Sequence, residues 1–312
     1  MKKNKKTVLQ GITETVCYAQ VFSYALKISE LHKYIHGDKK ISLQKIKKTL
    51  DKNKNIFDQD GEFVVFKGEK KLIDSRLAKF PDNKKKTAAA FFVSKLLLFI
   101  PIVKLVGISG SLSMENAQKN HDIDLFIITS KNTLWTTRLL TNLLLLSFGI
   151  KRGRSMFDSK NKICPNMFMA EDNLRIPKHM QNIYTAHEAA QLKVIFSKEN
   201  MHERFLKENK WILSLLPNAF DNTVSNSSKK NILKKIFSVS IIPVERLLFF
   251  IQFFHMRKNI SREYISSNMI MFHPLPYSQV IQEIFQLKLD ARKNLLKNTA
   301  LKEERKALFH LN

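Results

Sequence analysis

Two aspartates two residues apart, Asp122 and Asp124, open an apolar run of Ile123, Leu125, Phe126, Ile127 and Ile128. Side chains alternate along a strand, so this spacing sends both carboxylates to one face, and Ile123 and Leu125 to the other. Two carboxylates so placed repel each other unless a cation lies between them. Hard oxygens of this kind suit Mg²⁺, held jointly with substrate phosphates. Upstream, residues 102–108 read as a short apolar strand that runs into Ser109, Gly110 and Ser111. A Gly-Ser turn opening a short helix toward Ala117 presents backbone N–H groups, a hydroxyl and the positive end of a helix dipole, which together make a phosphate cradle. Ten residues separate Ser111 from Asp122. A cradle ending one strand and a metal pair starting the next compose a site for metal-assisted phosphoryl or nucleotidyl transfer. The plainer alternative is a Gly-Ser loop before an Asp-rich edge strand with no chemistry.

Gly110-Ser111, the gap and Asp122-x-Asp124 with its apolar continuation resemble the signature of the DNA polymerase beta-type nucleotidyltransferase superfamily. The resemblance implies a nucleoside triphosphate donor (ATP is the expected one), two Mg²⁺ ions and in-line attack on the α-phosphate. It implies that Gly110 and Ser111 hold the triphosphate and that Asp122 and Asp124 hold the metals. The family often has a third carboxylate on a later strand. Here the next strand-like run is residues 163–169, where Asn166 stands in the expected place, flanked by Asp158 and Asp172. An amide can ligate or hydrogen-bond but cannot serve as a base. Some members place a base on a helical domain. Glu188 could do that here, with His187 an equal runner-up and a plain polar helix face the alternative. Arg138, one turn after Trp135 on a helix over residues 134–148, could clamp a triphosphate bidentately, or form a surface ion pair. Lys151, Arg152 and Arg154 follow Gly149 and either draw in a polyanion or, the better reading, cap that helix's C-terminus.

These residues need elements to position them. Residues 8–36 read as helical, with Val16, Ala19, Phe22, Ala25 and Leu26 at helical spacing and Ser29 capping a second helix. Ser42 caps a third helix over residues 43–53, with Leu43, Ile46 and Leu50 inward and Lys45, Lys47, Lys48 and Lys52 outward. A turn over residues 58–61, ending Asp-Gly, predicts a hairpin. Three short helices and a hairpin predict a winged helix, whose lysines could meet phosphates of a nucleic acid. The competing reading is a scaffold, because Lys without Arg or Asn reads base edges poorly. Residues 69–100 predict one or two helices broken near Pro81. Helices are also expected over residues 201–216, 232–256 (kinked at Pro243) and 277–308, with Phe249, Phe250, Phe253 and Phe254 on one broad face. The expected architecture is α+β: a winged helix at 1–80, a nucleotidyltransferase-fold mixed sheet at 81–200 and a helical region at 201–312. This order, with the 184–188 run Tyr-Thr-Ala-His-Glu, also resembles a set of bacterial proteins known mainly from genome sequencing that join a winged helix to a nucleotidyltransferase core.

Composition bounds the function classes. The 312 residues carry 53 Lys+Arg against 27 Asp+Glu, a net charge of +26. Only eleven of the basic residues are Arg. An AT-rich genome produces such a skew, so solvated Lys faces account for the charge as readily as a polyanionic partner does. A hydrophobic share of 44% and a charged share of 26% exclude a wholly disordered or collagen-like chain. Cys17 and Cys164 lie far apart, are expected to form no metal cluster, and fit a reducing compartment. No apolar segment follows the basic start as a secretory signal requires. The apolar runs 88–106 and 241–256 are interrupted by Lys95, Pro101 and Lys104 and by Glu245 and Arg246, so neither reads as a membrane span. The expectation is a cytoplasmic protein with no membrane partner. A second function class remains open: a winged-helix regulator or antitoxin-like protein whose core binds nucleotide without turnover.

Overall fold

The computed structural model describes residues 6–153, 160–221, 242–257, 264–271 and 275–309. Thr7 starts the first helix, α1 (Val8–Val21), through a capping box: its hydroxyl accepts from the Gln10 N–H, and the Gln10 side chain accepts from the Thr7 N–H. Ser23, in the left-handed region at φ 49°, ends the helical path. The chain then forms β1 (Leu26–Lys27), α2 (Ile28–Lys33), α3 (Leu43–Lys52), β2 (Phe57–Asp60) and β3 (Phe63–Phe66). These strands make an antiparallel sheet in the order β1-β3-β2.

Several local expectations change here. Leu26 pairs with Val64 instead of continuing a helix. Lys27, not Ser29, occupies the cap position of α2. Ser42 does cap α3, accepting from the Lys45 N–H at 3.3 Å. Ile46 and Leu50 are fully buried, but Leu43 is 36% exposed. The hairpin turn is Gly61-Glu62, with Gly61 at φ 55°, so Asp58, Gln59 and Asp60 belong to β2.

A single helix, α4 (Lys71–Leu97), runs through Pro81 and across the boundary expected at residue 80. Proline removes one helical donor. Two residues on, the Asn83 amide donates to the Lys79 and Ala117 carbonyls and accepts from the Ala117 N–H, which ties the helix to the neighbouring loop. Then follow β4 (Val103–Ile108), α5 (Gly110–Ser113), β5 (Ile123–Thr129), α6 (Leu134–Ser147), β6 (Ile163–Ala170), α7 (Ile183–Ala190), β7 (Lys193–Ser197) and α8 (Met201–Glu208). After the undescribed residues 222–241 come α9 (Ile242–Arg257), β8 (Tyr264–Ile265), β9 (Met269–Met271) and α10 (Leu275–Phe309). Pro243 sits in the first turn of α9, where a missing N–H costs no helical bond.

The second sheet has the order β7-β4-β5-β6-β9-β8. Among the described strands β5 and β6 alone pair in parallel, with α6 as the crossover such a pair needs, so the architecture is mixed α+β. Alternation divides β5: Ile123, Leu125 and Ile127 pack with α4 and α6, while Phe126 and Ile128 pack with α7 and α8. The part expected to be helical, residues 201–312, does not form one block. β8 and β9 extend the central sheet, α9 packs on α6, and Ile281, Phe285 and Leu289 of α10 share a core with Ile12, Val16 and Cys17 of α1. Among the described residues, no helix is long and apolar enough to cross a membrane.

Candidate functional site

β4 delivers the chain to the Gly-Ser loop, and β5 receives it: the Ser109 N–H donates to the Asp124 carbonyl at 3.0 Å. Gly110 has φ 61°, and a Cβ there would lie 2.8 Å from Asp124 Oδ2. Only glycine allows both the left-handed backbone and this approach to the carboxylate. The helix that follows is a single four-residue turn, so free amides rather than a long dipole are what the loop offers. From outside, α4 fixes the loop. Lys79 donates to Asn116 Oδ1 at 2.8 Å, and Lys86 donates to the Gln118 and His121 carbonyls at 2.6 and 2.5 Å.

Beside this loop lies a cavity of about 590 Å³, within the size range of small-ligand sites. Gly110, Ser111, Asp124 and Glu188 all line it. The motif that carries Gly110, Ser111 and Asp124 and the distant Glu188 meet in one space in the fold. Lys79, His121, Tyr18, Tyr184 and Tyr277 complete the walls around them. Burial, then the charge of Glu188, pushes the Tyr18 and Tyr184 hydroxyls well above their usual range, so both are neutral donors. Glu188 also borders a narrower crevice of about 50 Å³ with Ser109 and Asn166.

Asp122 is differently engaged. Arg152 Nη1 lies 2.7 Å from its Oδ2 and 3.8 Å from the Cys164 sulfur. Arg152 therefore binds Asp122 instead of capping α6, because the chain at Lys151 and Arg152 bridges Ile163 at the start of β6. The Gly149 carbonyl accepts from Lys162 Nζ at 2.7 Å. Arg154 and Asp158 lie outside the described residues. Cys164 stands opposite Asp124 in the parallel β5–β6 register, and ligand atoms of Asp122, Asp124 and Cys164 lie within 4.8 Å of one another. This corrects the expectation that the cysteines join no cluster. Burial, then Asp124 and Asp122, pushes the Cys164 thiol up to about 12. Two carboxylates fit Mg²⁺; a protonated soft sulfur does not.

Asn166 is the extra residue of a bulge: Leu125 pairs with Pro165 and Phe126 with Met167. It lines the crevice with Ser109, so the residue that faces the aspartates from β6 is Cys164, not Asn166. His187 is buried, with Nε2 2.9 Å from His36 Nε2, Nδ1 2.9 Å from Gln191 Nε2, and its ring stacked on Tyr18. Burial, then His36, pushes its pKa well below the usual value. It lines the same cavity, but both its ring nitrogens are engaged, so Glu188 is the group on α7 at hand for a proton. Arg138 does not join the site. It donates to Gln252 Oε1 at 2.6 Å, lies over Trp135, and ties α6 to α9; burial lowers its pKa to about 10. Asp172 pairs with Lys131 at 3.6 Å.

Sequence reasoning missed Arg152, Cys164 and the tyrosine walls. Cys164 lies two residues before Asn166 on the strand that was expected to face the aspartates. That position was the one available signal. No family model matches the chain, and no curated protein matches it.

Proposed function

We propose that the chain is a Mg²⁺-dependent nucleotidyltransferase that moves a nucleoside monophosphate from a nucleoside triphosphate, expected to be ATP, to an acceptor hydroxyl. The observation that carries this reading is the convergence of Gly110, Ser111, Asp124 and Glu188 on one cavity of ligand size. The amides and hydroxyl of the Gly110-Ser111 turn bind phosphate oxygens, and Lys79 draws the polyphosphate inward. Asp122 and Asp124 would hold Mg²⁺, which supplies charge neutralisation on the transferring phosphate. Glu188 takes the proton of the acceptor hydroxyl, and the tyrosines orient the substrate by donating hydrogen bonds. Arg152 balances Asp122 when the nucleotide is absent. In the same reading the N-terminal unit is a winged helix, and Lys45, Lys47, Lys48 and Lys52, all exposed on α3, form a face for nucleic-acid phosphates.

A second reading, nucleotide binding without turnover, is favoured by Arg152 already bound to Asp122 and by Cys164 in place of a hard third donor. Purified chain with Mg²⁺ and each labelled triphosphate separates the two. Pyrophosphate release that falls about a hundredfold or more in Asp124→Asn, with an unchanged melting temperature, supports transfer. Saturable binding without release in the wild-type chain supports the second reading. No binding of any triphosphate overturns both.

A further inference from the structure

The second half of α4, together with α6 and α9, covers one face of the central sheet. Their inner residues share one core with the strands: Val93 and Leu97 from α4, Trp135 and Leu145 from α6, Leu248 and Phe249 from α9. Their outer sides therefore point away from the sheet on the same side of the molecule. That outer surface is apolar. α4 and the turn after it expose Phe91, Phe92, Leu98 and Phe99, the last at 82%. α6 and its end expose Leu140, Leu143, Leu146 and Phe148. α9 exposes Val244, Leu247, Phe250, Ile251 and Phe254. Large contiguous apolar patches on a protein surface mark interaction sites.

The charges among these residues decide what the surface meets. Lys84, Lys85 and Lys95 are exposed on α4, and Arg246 and Arg257 on α9. Across residues 84–99, 134–148 and 242–257 the only carboxylate is Glu245. It is buried, and it accepts from the Trp135 and Thr136 N–H groups and the Thr136 hydroxyl at 2.5, 3.0 and 2.7 Å. The layer thus presents apolar side chains and cations with no exposed carboxylate. A second copy of the chain would set these cations against their own kind. A surface of anionic headgroups over acyl chains complements both features at once.

We propose that the α4–α6–α9 layer docks on an anionic lipid surface, with its aromatic and leucine side chains among the upper acyl chains and its Lys and Arg on the headgroup phosphates. The absence of a spanning helix does not oppose this, because helices lying in the interface need no span. Asp124, which lines the cavity, alternates on β5 with Ile123 and Leu125, the residues that pack under this layer, and none of the exposed residues named above lines the cavity. The inference does not depend on the reaction proposed above.

The test is sedimentation of the full chain with phosphatidylcholine vesicles, with and without phosphatidylserine, across salt concentrations. Two double variants add the same negative charge. Leu143→Glu/Leu247→Glu places it on the layer, and Gln44→Glu/Asn55→Glu places it on exposed positions of the N-terminal unit. The expected result is salt-sensitive binding to the phosphatidylserine vesicles, weakened about tenfold or more by the first variant and less than about twofold by the second. Phe99→Glu, at the most exposed position, gives the same direction if the first variant fails to fold. Equal loss in both variants would reduce the effect to net charge and overturn the proposal. So would an absence of vesicle binding, or a dimer in solution that Leu143→Glu/Leu247→Glu dissociates.

Discussion

On one face of β5, Ile123, Leu125 and Ile127 are fully buried under α4 and α6. On the other, Asp124 touches the Gly110 loop at the mouth of a cavity, and only from Phe126 onward does the strand pack against α7 and α8. The two faces differ in what they ask of the chain. The shell face needs apolar volume and little else, and among the described residues its outer surface exposes leucines and phenylalanines. The site face needs a glycine with left-handed backbone, two carboxylates and a cation on one of them. A polar site of this kind contributes little cohesion, so the packing behind it must supply the rigidity that positions it.

If the faces divide the labour in this way, substitutions should separate stability from binding. Trp135→Ala removes the largest fully buried side chain of the shell face. It should cost about 3–5 kcal/mol in denaturant unfolding, while the remaining folded protein keeps its nucleotide affinity; a parallel loss of affinity would break the comparison. Gly110→Ala should do the reverse. The left-handed backbone and the contact with Asp124 Oδ2 should cost about 1–2 kcal/mol of stability, with nucleotide binding, read by calorimetry, weakened well beyond that proportion.

The smallest effect concerns protons on the buried pair His36 and His187. Burial holds His36 and His187 below the usual 6.5, so both are neutral in the fold, and the unfolded chain takes up protons first. Their contribution is therefore present above about 6.5 and lost as the pH falls below it. Glu14, 3.8 Å from His36 and also held below its usual value, extends the loss at lower pH. His187→Phe keeps the stack on Tyr18 and should shrink the drop in melting temperature between about pH 7.5 and 5.5 by a few degrees. An unchanged profile would place the acid sensitivity elsewhere.

What the sequence could show depended on how far each interaction reaches. Ser42 capping Lys45, or Asp122 and Asp124 entering an alternating strand, are events within a few residues, and they read correctly. Pro81 reads as a break because the rule sees only the lost donor; the Asn83–Ala117 bonds that restrain the helix come from another loop. Arg138 looks like a phosphate clamp until Gln252, 114 residues later, takes its guanidinium. Cys164 meets Asp124 through the β5–β6 register, and Arg152 reaches Asp122 through the bridge of Lys151 to Ile163; no run of neighbouring residues specifies either match. The one-residue bulge at Asn166 then shifts which side chain faces the site.

The packing of α10 against α1 has a consequence for the order in which the protein can assemble during synthesis. Ile12, Val16 and Cys17 leave the ribosome about 260 residues ahead of Ile281, Phe285 and Leu289, which complete their core. At about 5–20 residues per second, the first helix waits on the order of ten seconds to a minute for its last partners. Throughout that interval its apolar stripe is incompletely covered. The core around α1 therefore reaches its final packing only once α10 returns to it.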